Sequence, residues 1–135
     1  MTKEGTIELE LPPERDSVTL ARHRVTAFAE DVGAPVDDVA LAISEAVGNA
    51  VMHAFRGGRT GTIVVHAKTA RSELVVTVAD DGVGMLPDLE NSGLGLGSTL
   101  IARFSAAAKF ESSDAGTTVT MTFELGSPAG VTDGD

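Results

Sequence analysis

The sequence predicts an α+β fold: a two-layer sandwich with helices on one face of a mixed, mostly antiparallel sheet. Two observations carry this. Strand patterns come in neighbouring pairs joined by short links, as antiparallel hairpins require. Two amphipathic helical runs lie between the first strand and the second, and each must bury its apolar stripe against another layer. The order β-α-α-β-β-loop-α-β-β shows no internal repeat. Residues 1–125 read as one domain, and 126–135, "GSPAGVTDGD" after Leu125, as a small polar disordered tail.

Each element has its own signal. "TIELELP" alternates Ile7, Leu9 and Leu11 with Thr6, Glu8 and Glu10, the period of a strand with one buried face. Two prolines end it. From Asp16 or Ser17, either able to cap, a helix places Val18, Ala21, Val25 and Phe28 at helical spacing and stops at Gly33. It exposes Arg22, His23 and Arg24 which, with Arg15, make a basic cluster in an acidic chain. Pro35 suits the first turn of the next helix. Its stripe runs through Val36, Val39, Ala40, Ile43, Val47, Ala50, Val51 and Ala54, and "RGGRTG" ends it. "TIVVHAK" and "ELVVTVA" read as strands joined by "TARS". A Gly- and Pro-containing loop then leads to a short helix, "STLIARFSA". "AKFESS" and "TTVTMTFEL" close the chain as a hairpin across "DAG".

The totals exclude several functions. The chain has 135 residues, 42% of them hydrophobic, and a formal net charge of −10. An acidic chain lacks the basic face that a nucleic-acid backbone needs. No run of 18 apolar residues exists to cross a membrane, and the N-terminus carries no signal-peptide pattern. There are no cysteines, which fits a cytoplasmic protein. Tryptophan and tyrosine are also absent, which argues against an aromatic stacking platform.

Four polar stretches carry the chemistry. In "SEAVGNAVMHAF", Glu45, Asn49 and His53 recur every four residues, so they share one flank of the helix beside its apolar stripe. "DDGVG" ends a strand on Asp80, with Gly82 and Gly84 letting backbone approach a ligand. In "SGLGLGSTLI", Gly93, Gly95 and Gly97 precede a helix, where free amides favour an anion. It is neither a Walker A motif nor a dinucleotide fingerprint. Gly116 and Thr117 open the last strand. Taken singly, each reads equally well as a solvated helix edge, a turn or a flexible loop.

Their order and spacing together resemble the GHKL ATPase superfamily, the ATP-binding fold of gyrase and histidine kinases, over roughly Thr6 to Leu125. Within it, the chain is most similar to the anti-sigma factor serine kinases of the stress and sporulation type. The residues that carry this are the Glu45/Asn49 pair, Ala21–Arg22 on the first helix, and Gly116, Thr117, Val119, Met121 and Phe123 in the last hairpin.

The resemblance implies roles. Glu45 would be the catalytic base. Asn49 would ligate Mg²⁺, which needs few protein ligands when phosphates and waters supply the rest. Asp80 would accept a hydrogen bond from the adenine amino group, with Thr117 beside it. Gly82 and Gly84 would clear space for the base, and Gly93, Gly95 and Gly97 would wrap the phosphates of ATP. His53 would line the same pocket. Arg22 would dock a protein partner. The implied partners are a sigma factor and an anti-anti-sigma factor of the STAS-domain type, with a homodimer formed through the N-terminal region and the sheet edge.

The chain also departs from that family. Gly48 precedes Asn49 where threonine is usual, and glycine there costs a helix about 1 kcal/mol. The loop glycines align in two registers, Gly93/Gly95 or Gly95/Gly97. No Lys or Arg lies between Asp80 and Ile101, so nothing basic in that loop reaches a γ-phosphate. An ATP-binding partner-switch protein with little or no kinase activity is therefore the alternative function. A self-contained histidine kinase is disfavoured, because no phosphoacceptor helix is visible.

Overall fold

The computed structural model describes residues 5–57, 61–80, 105–113 and 116–126, without the side chains of 53–57 and 112–113. The chain forms β1 (Thr6–Leu11), α1 (Arg15–Val32), α2 (Val36–Gly57), β2 (Ile63–Ala70), β3 (Glu73–Asp80), β4 (Ala107–Ser113) and β5 (Gly116–Glu124). The strands make one sheet in the order β1-β2-β3-β5-β4. Every described pairing is antiparallel. The expected two-layer α+β architecture is present.

Strand alternation decides which face meets the helices. Leu9, Leu11, Ile63, Val65, Ala67, Leu74, Val76, Val78, Val119, Met121 and Phe123 are buried on the inner face. Both helices pack there: α1 over β1 and β2, α2 mainly over β3 and β5. Val25, Val39 and Val47 are fully buried between the layers.

The ends of α1 show how local chemistry sets its bounds. Gly33 adopts a left-handed φ of 85°, a conformation that glycine enters without a Cβ penalty. Its amide and that of Ala34 donate back to the last helical turn, Ala34 to the Ala29 carbonyl at 2.9 Å, a Schellman-type end. The other end starts earlier than its capping residues suggested. Glu14 occupies the N-cap without a side-chain bond, so Asp16 and Ser17 fall inside the first turn. There the Ser17 hydroxyl donates to the Pro12 carbonyl at 2.6 Å. The double proline forces this early turn, and the serine ties it down.

Two further boundaries differ from expectation. The β2–β3 link is tighter than "TARS": only Arg71 and Ser72 lie outside the strands, with Arg71 at a φ of 60°. Ser105 and Ala106, expected in a helix, form a bend instead. The Ala106 amide donates to the Thr122 carbonyl at 2.7 Å, which draws the segment into the sheet. The rest of "STLIARFSA", the glycine loop and residues 127–135 lie outside the described residues. Just past the C-terminal end of β5, the Gly126 amide donates to the Gly33 carbonyl at 2.9 Å and ties that end to the corner between the helices.

Candidate nucleotide site

The site grows from one cross-strand pair. Asp80 ends β3 and faces Thr117 at the start of β5. Both continue the inward alternation of their strands, Asp80 after Val76 and Val78, Thr117 before Val119 and Met121. Thr117 is buried at 3% exposure and Asp80 is half-buried. A carboxylate and a hydroxyl therefore stand together at one end of an apolar sheet, beneath a helix.

That helix is α2. Its Ala42, Ala46 and Ala50 are buried, and such small residues let the helix sit close to β3 and β5. Asn49 lies beside them, half-buried. One open pocket joins the two layers. Among the described residues it is lined by Ala46, Asn49, Ala50, Val78, Asp80, Phe110, Thr117 and Val119. Its free space, counted out into open solvent, is about 290 Å³. The walls are apolar, and the polar groups are few and convergent. That arrangement suits a flat heterocycle with hydrogen-bonding edges.

Three expected site residues thus meet: Asn49, Asp80 and Thr117. Glu45 lies one turn before Asn49 on the same helix and is half-buried, but it does not line this pocket. Arg22 is exposed on α1, on a separate surface. His53 falls within α2, and its side chain lies outside the described residues. So do Gly82, Gly84, Gly93, Gly95 and Gly97.

The donor set fits the implied ligands. Asn49 offers a neutral carboxamide oxygen, a suitable single ligand for Mg²⁺. Asp80 offers an anionic acceptor for an exocyclic amine, and a hydroxyl beside it can bridge to a ring nitrogen. None of the described lining residues is basic.

Sequence reasoning missed the apolar half of this pocket. Phe110 comes from β4 and packs against the core, so one aromatic ring lines a site in a chain with no Trp or Tyr. Val78 and Val119 were legible in principle: each lies two residues from a site residue, hence on the same face. Phe110 was not, because only the pairing of β4 with β5, Phe110 opposite Val119, brings it here.

Known proteins share the fold and much of the sequence pattern. The family described as "Histidine kinase-like ATPase domain" matches residues 11–123. An anti-sigma F factor of Clostridium acetobutylicum is 31% identical over 125 residues, covering 81% of this chain and 85% of that protein. A serine-protein kinase RsbW of Listeria innocua is 35% identical over 92 residues, covering 66% of this chain and 57% of that protein. Among solved structures, the RsbU and RsbW domains of a Mycobacterium tuberculosis protein superpose with a TM-score of 0.69 at 25% identity, over 90% of this chain and 32% of the other. This chain thus spans about a third of that structure's length. A blue-light activated histidine kinase of Erythrobacter litoralis shares the fold, with a TM-score of 0.61 at 24% identity over 86% of this chain and 42% of that one. The chain thus belongs to the histidine kinase-like ATPase family, with an anti-sigma F factor among its relatives there.

Proposed function

We propose that this chain is an anti-sigma factor serine kinase. It binds ATP and Mg²⁺, sequesters a sigma factor, and phosphorylates a STAS-type antagonist on Ser or Thr. The observation that carries the reading is the convergence of Asn49 with the paired Asp80 and Thr117 in one pocket. The names of its relatives, anti-sigma F factor and serine-protein kinase, support the same class. No described helix is long and apolar enough to cross a membrane, which is compatible with work in the cytoplasm.

The residues divide the work. Asp80 and Thr117 read the adenine edge, and Phe110, Val78 and Val119 pack against the ring. Asn49 holds the metal, which neutralises charge on the phosphates when bound. Glu45 takes the proton of the attacking hydroxyl as its oxygen bonds to the γ-phosphorus, and ADP leaves. Phosphoryl transfer depends mainly on positioning and charge neutralisation. A carboxylate outside the adenine pocket but one turn from the metal ligand suits that limited role.

Calorimetry with a non-hydrolysable ATP analogue, beside phosphotransfer rates, tests this division. Glu45→Ala should bind the analogue nearly as the wild type does and transfer phosphate about 10²–10⁴-fold more slowly. Asp80→Ala should lose about 1–3 kcal/mol of binding from the broken hydrogen bond. Equal binding losses in the two variants would sink the assignment. Because Glu45 does not line the pocket, a second reading stands beside the first: an ATP-dependent partner switch without phosphotransfer. Unchanged partner exchange in Glu45→Ala, with no phosphate moved by the wild type, selects it.

Two surfaces extend the proposal. Exposed Arg22 docks an acidic patch of a partner, and Arg22→Ala leaving partner binding and phosphorylation untouched would remove that role. A second copy pairs along β1, an edge strand of the sheet; a monomer mass by light scattering at working concentration would refute the dimer.

A further inference from the structure

The outer side of α2 carries a stripe that lies outside the pocket and shares only Glu45 with the proposed chemistry. Asp37, Leu41, Glu45, Gly48 and Met52 follow at intervals of four, four, three and four, so they fall on one side of the helix. From Leu41 to Met52 the stripe is about 16 Å long. Leu41 is 52% exposed and Met52 is 47% exposed, two of three large hydrophobic side chains so exposed among the described residues. At Gly48 no described residue lies within 4 Å of where a Cβ would stand. The stripe is therefore apolar at Leu41 and Met52, without a side chain at Gly48 between them, and acidic at Glu45 and, at its N-terminal end, Asp37.

Its position gives the stripe an occupant. It runs through Glu45, and a hydroxyl that reaches Glu45 must be carried by a segment lying over Glu45's neighbours. The 4-3-4 spacing matches the seam that one helix offers another. A missing side chain at Gly48 lets a second helix approach closely.

We propose that the stripe from Leu41 to Met52 is the docking seam for the segment of the phosphoacceptor protein that carries the acceptor hydroxyl. That segment is an amphipathic helix. It sets one apolar side chain against Leu41 and another against Met52, holds its Ser or Thr over Gly48 within reach of Glu45, and places a Lys or Arg opposite Asp37. Charge complementarity at Asp37 fixes its direction, because the acidic end of the stripe lies at the N-terminus of α2. This inference rests on the kinase reading above, which supplies the role of Glu45.

The test uses the purified full chain and, as probe, the STAS-domain antagonist encoded nearest to its gene. Steady-state phosphorylation is measured for Leu41→Ser, Gly48→Leu and Asp37→Lys, with analogue affinity and thermal melting alongside. Leu41→Ser and Gly48→Leu should raise the KM for the antagonist about tenfold, as loss of an interface anchor does, with kcat and analogue affinity within about twofold of wild type. Asp37→Lys should raise it about threefold and weaken its salt dependence. Because Gly48→Leu fills open space on a helix, its melting temperature should not fall, which separates blocked docking from unfolding. Unchanged KM in both Leu41→Ser and Gly48→Leu overturns the proposal. If the wild type binds the antagonist without phosphorylating it, the kinase reading fails, and the seam stands or falls by whether the same variants weaken that binding. If the wild type neither phosphorylates nor binds the antagonist, the occupant is wrong and the proposal falls.

Discussion

The two helices cover the same sheet and satisfy local chemistry very differently. In α1 the buried hydroxyl is matched, Ser17 donating to the Pro12 carbonyl at 2.6 Å, and Thr26 donates to the Arg22 carbonyl at 2.6 Å. Its C-terminus closes on a left-handed glycine. In α2 the Ser44 hydroxyl oxygen is buried with no hydrogen-bond partner among the described residues. Gly48 sits in the helix interior with no described residue within 4 Å of its Cβ position, and Asn49, a mediocre helix former, follows at once. Departures from local rules gather at functional sites, and here they gather within two turns of the pocket. The difference teaches that α1 is built to hold the sheet, whereas α2 trades helix stability for what it presents.

The largest test concerns the side of α2 that does follow the rules. Ile43 is 1% exposed, so Ile43→Ala should cost about 2–5 kcal/mol in denaturant unfolding, combining lost transfer energy with a cavity. A cost under 1 kcal/mol would mean that α2 is loosely seated even on its core side, and the contrast with α1 would then lie in the whole helix rather than in one flank.

The buried serines sharpen the comparison with opposite signs. Ser44→Ala should stabilise by about 1–2 kcal/mol, because it removes an unpaired buried hydroxyl and improves helix propensity. Ser17→Ala should destabilise by about 1 kcal/mol, because it breaks the bond that ties the first turn of α1 to Pro12. Chemical denaturation of the two variants beside wild type reads both. If both changes move stability the same way, hydrogen bonding is not what distinguishes the helices.

How far the sequence revealed this follows from the range of each signal. Alternation in "TIELELP" and "ELVVTVA" exposed the strands and their inner faces, since a period of two is local. The Asp80–Thr117 pair was reached only through the resemblance, because its partners stand 37 positions apart in the chain. Phe110 was missed for the same reason, as its place depends on strand pairing alone. The start of α1 was misjudged because Asp16 and Ser17 both resemble caps, and the preceding prolines decided the matter instead. Ser44 was passed over entirely: an unpaired hydroxyl is a property of packing, and no spacing announces it.

The smallest effect isolates Gly48. Glycine in a helix interior gives up more backbone freedom on folding than alanine, by roughly 0.5–1 kcal/mol. At most buried positions a new methyl group would offset that gain by crowding a neighbour, but here no described residue stands within 4 Å. Gly48→Ala should therefore raise stability by the full propensity difference and the melting temperature by on the order of 2–4 °C. Analogue binding at the neighbouring Asn49 should hold or tighten, since a stiffer helix fixes the carboxamide better. A methyl group is too small to close the seam to a docking helix, so Gly48→Ala should leave the antagonist's KM near wild type while Gly48→Leu raises it. A fall in stability would show that the space beside Gly48 is filled in solution, and would place the weakness of α2 at Ser44 alone.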